Sequence, residues 1–149
     1  MSLDFILETP EFQDLADRLA KGSPRLQVTG VTSAAKPYLL AALAGVSKQG
    51  IVFIRPSSES LFRFAEETCA FCDRLRIDVP VSVLPALSED PYQEVSPSLE
   101  TVAARMRSFW NVLRGGNGVF VTSLFGLFKP FPLPADLEAS FLTVELGQA

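Results

Sequence analysis

Gly30-Val31-Thr32-Ser33-Ala34-Ala35-Lys36-Pro37 lies between a short apolar run, with Leu26 and Val28, and the apolar segment Tyr38-Leu39-Leu40-Ala41-Ala42-Leu43. Its spacing is that of a phosphate-binding loop, G-x-x-x-x-G-K-[ST]. In such a loop backbone N–H groups close around phosphates, the lysine reaches the outer phosphates and the hydroxyl holds magnesium. Gly30 and Lys36 keep their places. Ala35 stands at the second glycine, where a Cβ penalises positive φ and crowds the space of a phosphate. Pro37 stands at the hydroxyl position and offers neither an oxygen nor an N–H, although the first turn of a helix tolerates it. Gly30, Thr32, Ser33, Ala34, Ala35, Lys36 and Pro37 therefore read as a vestigial phosphate loop whose scaffold outlasts its hydrolytic parts.

A glycine and a lysine at set spacing occur often by chance, so the flanking chain has to give the loop its context. Thr9-Pro10-Glu11 ahead of Phe12, Leu15, Ala16 and Leu19 predicts a capped amphipathic helix over 10–21, stopped by Gly22-Ser23-Pro24. Leu26 to Thr29 reads as a short strand feeding the loop, and the loop opens a helix from Lys36 or Pro37 to about Val46. Gly50 to Pro56 is a continuous apolar run closed by turn residues, the pattern of a strand buried on both faces of a parallel sheet. Ser57 or Ser58 is positioned to cap the next helix, whose buried face is Leu61, Phe64, Ala65, Thr68, Phe71, Cys72 and Leu75. Val79 to Leu84 is a third strand, starting late or lying near an edge because of Pro80. A polar connection holding Glu89 to Glu94 follows. Ser96-Pro97 then opens a helix with a face of Val102, Met106, Phe109, Trp110 and Leu113, ended by Gly115-Gly116. Gly118 to Thr122 is a fourth strand, trailed by a helical turn over 123–128, a brief helix over 135–139 and an alternating last strand over 140–146. This alternation predicts an α/β fold: a wound parallel sheet with helices on both faces, resembling the phosphate-loop NTPase class, with the loop at the carboxyl edge where such sheets bind ligands.

Composition narrows the functional classes. A chain of 149 residues, 48% apolar, buries a proper core. A net charge of −4 argues against a domain that grips nucleic acid by itself, since backbone binding needs a basic face. No apolar run reaches the roughly 20 residues that span a bilayer, and no export signal opens the chain, so no membrane partner and a cytoplasmic location are expected. There is no histidine, which removes the commonest general base and metal ligand. Cys69 and Cys72 have redox spacing but sit inside a helical pattern, where buried or half-buried structural thiols are expected, and two ligands cannot close a zinc site. No catalytic residue and no metal site are assigned.

The order of the degenerate loop, the strand Gly50-Ile51-Val52-Phe53-Ile54-Arg55-Pro56, Leu84-Pro85-Ala86, Asp90-Pro91-Tyr92-Gln93-Glu94-Val95-Ser96-Pro97, Ala103-Ala104-Arg105-Met106 and Val119-Phe120-Val121-Thr122-Ser123-Leu124 resembles the N-terminal module of the bacterial transcription-repair coupling factors (Mfd) over roughly 22–148. That module is similar to domain 1a of the excision-repair subunit UvrB, whose loop reads Gly-Val-Thr-Gly-Ser-Gly-Lys-Thr. Gly30, Val31, Thr32 and Lys36 match it, while Ser33, Ala35 and Pro37 depart, and Tyr92 stands alone where UvrB is tyrosine-rich. The resemblance implies a non-catalytic scaffold that supports recruitment of UvrA, through an adjoining domain, to RNA polymerase stalled at a DNA lesion. It further implies a longer parent that is an ATP-dependent DNA translocase, with ATP and magnesium confined to its motor. On that reading 1–21 is an N-terminal helix, 22–139 the UvrB-like domain and 140–149 a strand leading into a second domain, the chain contacting other domains of its parent. Two other classes remain open: a nucleotide-binding enzyme domain with an unorthodox loop, and a DNA-binding segment of an excision-repair protein.

Ordinary readings stand beside these. Lys36 reads as a solvated helix-start lysine ahead of a retained phosphate ligand, Arg55 as a surface arginine, and Phe71, Phe109 and Trp110 as core. Glu89 to Glu94 reads as a solvated connection. Phe125, Phe128 and Phe131, interleaved with prolines, are either a docking patch for further domains or a local lid over the core.

Overall fold

The computed structural model describes residues 3–22, 25–88, 96–114, 117–128 and 131–141. A 3-10 turn over Leu3–Glu8 leads into α1 (Pro10–Ala20), where Thr9 Oγ1 accepts from the Phe12 N–H at 3.4 Å as expected of the cap. A second 3-10 turn (Ser33–Ala35) runs into α2 (Lys36–Val46). Then come β1 (Ile51–Arg55), α3 (Leu61–Leu75), β2 (Val81–Leu84), α4 (Leu99–Leu113), β3 (Val119–Ser123), the one-turn α5 (Leu124–Leu127) and α6 (Pro134–Ser140).

The three strands form one parallel sheet in the order β1-β3-β2, with Ile51 and Val81 both level with Val119. Because side chains alternate along a strand, the shared register puts odd-numbered residues on one face and even-numbered residues on the other. The odd face, with Val119 and Val121 fully buried, packs on Leu40 and Ala44 of α2 and on Leu61, Phe64 and Ala65 of α3. Phe53 stacks on Phe64 with ring centroids 4.6 Å apart. On the even face Leu84 joins Phe109 of α4 and Leu137 of α6. Helices thus cover both faces, as the α/β pattern required.

Four expectations need correction. Leu26 to Thr29 is not a strand of the sheet. Residues 25–29 line a groove with Glu11, Asp14, Leu15 and Arg18 of α1, and only Leu26 among them is half-buried. One half-buried side chain offsets too little of the ordering entropy to hold four residues in a ladder. β1 is not buried on both faces: Val52 is 56% and Ile54 50% exposed, because α4 lies over β2 and leaves the even face of the edge strand uncovered. Neither Ser57 nor Ser58 caps α3. Ser60 takes that position at φ 59 with no side-chain cap bond, while Ser58 Oγ is 2.9 Å from Ser123 Oγ. On α4 Phe109 is buried as expected, with Met106 and Leu113 packed against its cluster, but Val102 is 38% exposed and the other buried positions are the polar Arg105 and Ser108.

Cys69, expected to be buried or half-buried, is exposed, whereas Cys72 is buried. Phe109 is core, and Phe71 and Trp110 are half-buried. The helix stops at 23–24 and 115–116, the acidic connection 89–94 and the last strand beyond Phe141 lie outside the described residues. Among the described residues no helix is long and apolar enough to cross a membrane.

Phe64→Ala should cost about 3–5 kcal/mol, since it removes the ring that bridges α3 and β1. Phe62→Ala, at a neighbouring ring 49% exposed, should cost less than about 1 kcal/mol. Chemical denaturation of the two variants checks the difference, and equal losses would contradict this packing.

Candidate functional site

The degenerate loop lies at the carboxyl edge of β1. Ser33 and Ala34 line a cleft of about 510 Å³ with Arg55 at the end of β1 and with Ser60, Arg63, Phe64, Glu67 and Phe71 of α3 and its approach. Gly30 holds φ +79, the left-handed conformation for which glycine is suited. Beyond it the chain departs from a phosphate cradle. Thr32 is extended, Ser33 to Ala35 coil into the 3-10 turn, and Ala35 sits at φ −86, so its Cβ carries no left-handed penalty. The Ala35 N–H donates to Thr32 O at 3.1 Å and is consumed within the turn. A phosphate held by this loop would need that donor turned outward. Lys36 is exposed, Pro37 is fully buried, and Thr32, Ser33 and Ala34 are exposed. The structure keeps these residues contiguous, with the Ala35 N–H turned into its own 3-10 turn.

The cations of the cleft are also engaged. Arg55 Nη1 donates to Ser60 O at 3.3 Å, and its guanidinium carbon lies 5.5 Å from the centroid of the Phe64 ring. Arg63 Nε donates to Glu67 Oε1 at 2.9 Å. This pair is solvent-exposed and contributes little stability. Glu67 sets a carboxylate where a nucleotide would bring negative charge.

A polar network closes the ends of β2 and β3. Arg105 is 5% exposed; its Nη1 donates to Pro85 O at 2.7 Å and Gly126 O at 3.2 Å, tying together the segments that leave the two strands. Burial lowers its pKa from the ordinary guanidinium value, and its charge is spread over the two carbonyls and the Phe109 ring, 5.4 Å away. Thr122 Oγ1 donates to Leu84 O at 2.8 Å, and Gly126 N–H donates to Ser123 Oγ at 3.2 Å. Gly126 has no room for a side chain, because a Cβ would collide with Thr122 Oγ1 and come within 2.9 Å of Leu84 O. Arg105, Thr122 and Ser123 were not singled out from sequence. The spacing of Arg105, three from Val102 and four from Phe109, sets it on the stripe read as apolar, and that was the available signal.

Phe125 is half-buried against Phe128, which is 62% exposed, at 5.7 Å between centroids; Phe131 meets Phe109 at 5.6 Å. The three rings do not form one cluster: Phe131 reaches the core, and Phe128 faces solvent. Among the described residues no group of three or more His, Cys, Asp or Glu side chains converges. No family model, curated protein or solved structure matches this chain.

Two outcomes are expected. Arg105→Met should cost about 2–4 kcal/mol, because Pro85 O and Gly126 O lose a buried charged donor; urea denaturation measures it. Burial, then the neighbouring Cys69 and Asp73, raises the Cys72 pKa from 9.0 to about 11. Since the folded thiol holds its proton more tightly than the unfolded one, its contribution is intact below pH 9 and is lost as pH rises toward about 11. A thiol reagent at pH 8 should therefore titrate Cys69 alone in the native protein and both cysteines after unfolding.

Proposed function

We propose that this chain is a non-catalytic scaffold of the UvrB-like type found at the N-terminus of bacterial transcription-repair coupling factors. On this reading it supports UvrA recruitment to stalled RNA polymerase in excision repair and contributes no nucleotide chemistry. The observation that carries the proposal is the fate of the loop: Gly30-Val31-Thr32 and Lys36 keep the UvrB spelling at the carboxyl edge of a parallel sheet, while the Ala35 N–H is spent on Thr32 O. Phosphoryl transfer is catalysed by positioning and charge stabilisation, so a loop that spends the Ala35 amide on itself and has Pro37 in place of the metal hydroxyl lacks central parts of the catalyst.

The adjoining domain of the family would carry the UvrA contact, so this chain alone should bind UvrA weakly or not at all. Micromolar or tighter binding in calorimetry would overturn that. The scaffold role itself is tested by a chimera in which this chain replaces the corresponding module of a coupling factor. Strand-specific repair should persist, and its loss in a chimera that folds and accumulates normally would sink the assignment.

A second reading, a nucleotide-binding domain with an unorthodox loop, has the 510 Å³ cleft and its two arginines in its favour. Calorimetric titration with magnesium ATP separates the two. No affinity tighter than millimolar, about −4 kcal/mol, is expected for the native chain. Ala35→Gly with Pro37→Thr should move the loop toward binding. ATP turnover by the native chain that Lys36→Ala abolishes would establish the enzyme instead.

A further inference from the structure

The two edges of the sheet are finished differently. At the β2 edge Pro80 precedes the strand, Ser108 Oγ of α4 occupies Val83 O at 2.7 Å, and Asn111 Nδ2 donates to Ser82 Oγ at 2.7 Å. Among the described residues nothing comparable meets the β1 edge. Ile51 N–H donates to Gly118 O at 2.8 Å, so Ile51, Phe53 and Arg55 spend their backbone groups on β3. The backbone groups of Val52 and Ile54 therefore point away from the sheet, and among the described residues no strand pairs with them. Natural sheets blunt an open edge with lysine, proline or a bulge, and Ile51-Val52-Phe53-Ile54 has none of these in an unbroken register.

We propose that β1 is the pairing edge of a symmetric dimer, two copies joining antiparallel about a two-fold axis at Phe53 into a continuous six-stranded sheet. The strand is self-complementary in that arrangement. Val52 lies opposite the partner's Ile54 and Ile54 opposite the partner's Val52. These are hydrogen-bonded pairs in which each residue exchanges both backbone groups, so four bonds form across the axis. The half-exposed side chains of these residues share one face and meet as β-branched cross-strand pairs. Arg55 falls opposite the partner's Ile51, so no like charges oppose.

A stable interface needs about 800 Å² from each partner, more than two short strands provide. Further apolar surface lies beside Val52, in a trench of about 350 Å³ that includes Val112 and Phe131, 55% and 49% exposed. None of its lining residues is charged, which lets two copies of a chain of net charge −4 approach there. The occupant is thus a second copy of this chain, and the inference does not rest on the repair assignment.

Light scattering and sedimentation of the chain, from micromolar to hundreds of micromolar, test it. A monomer–dimer equilibrium is expected, weakened at least tenfold by Ile54→Lys, which charges the pairing edge at an exposed side chain. Val52→Pro, which removes one outward N–H, should act the same way. Circular dichroism and melting of each variant confirm that it folds, and either folded variant suffices. Amide exchange in the native chain should show Val52 and Ile54 protected more strongly as concentration rises. A native chain that stays monomeric throughout, a dimer indifferent to both variants, or protection of these amides independent of concentration would each overturn the proposal, the last by assigning the edge to a strand of the same chain.

Discussion

β3 carries both ladders of the sheet, and the rest of the structure is arranged around the need to bury it. Val119, Val121, Thr122 and Ser123 are all fully buried, flanked in register by β1 and β2. A strand in that position has every backbone group committed to a neighbour, and its side chains need cover on both faces. The odd face is covered by α2 and α3 through an apolar cluster of Leu40, Ala44, Leu61, Phe64 and Ala65. The even face is mixed, because Thr122 brings a hydroxyl into the interior; that hydroxyl is satisfied by Leu84 O. Leaving a buried hydroxyl unpaired would cost about 1–3 kcal/mol, so the path of the chain after β2 is bound to the identity of residue 122.

That dependence continues into the carboxyl edge. In open α/β sheets the crevice beyond the strand ends is where ligands bind, because loops diverge there and leave helix N-termini pointing into it. Here the segments leaving β2 and β3 are drawn together instead. Arg105 bridges Pro85 O and Gly126 O, Ser123 holds the Gly126 N–H, and Ser58 meets Ser123 from the far side of the sheet order. A buried guanidinium is tolerable only when its donors are met, and two carbonyls with an aromatic face meet them without a carboxylate. Groups that would face a ligand in a binding crevice are satisfied by one another.

Much of this was legible in the residues. The all-round apolar segment behind the loop located α2 to within a residue, and the apolar runs closed by turn residues located β1 and β3, because unbroken apolar stretches seek burial whatever they pair with. Thr9 and Pro10 announced the start of α1 through local chemistry alone. What one sequence could not carry was partnership. The run over 51–55 reads the same whether one face or both are covered, and only the position of α4 over β2 uncovers Val52 and Ile54. Leu26 to Thr29 has strand propensity, but a strand also needs an edge and a buried face, and neither is written in its own residues. Arg105 was hidden for a related reason: a charged residue on an apolar stripe is normally placed at the solvent boundary, and its buried carbonyl partners come from segments 20 and 21 residues away.

The same constraint explains where interaction capacity is left. The network of Arg105, Thr122 and Ser123 ties up the segments leaving β2 and β3 and leaves the cleft at the end of β1 open, while Ser108 and Asn111 seal the β2 side. The positioning of α4 that seals β2 takes it away from β1, because one helix about 10 Å wide covers roughly two strands spaced about 4.8 Å apart. A three-stranded sheet with a single long helix on its even face must therefore leave one edge strand bare, and here it is the strand with the most apolar sequence. The outward backbone of Val52 and Ile54 and the trench beside them follow from that geometry. Among the described residues this flank joins an unpaired strand edge to exposed apolar side chains, the combination that an extended strand with apolar side chains would match.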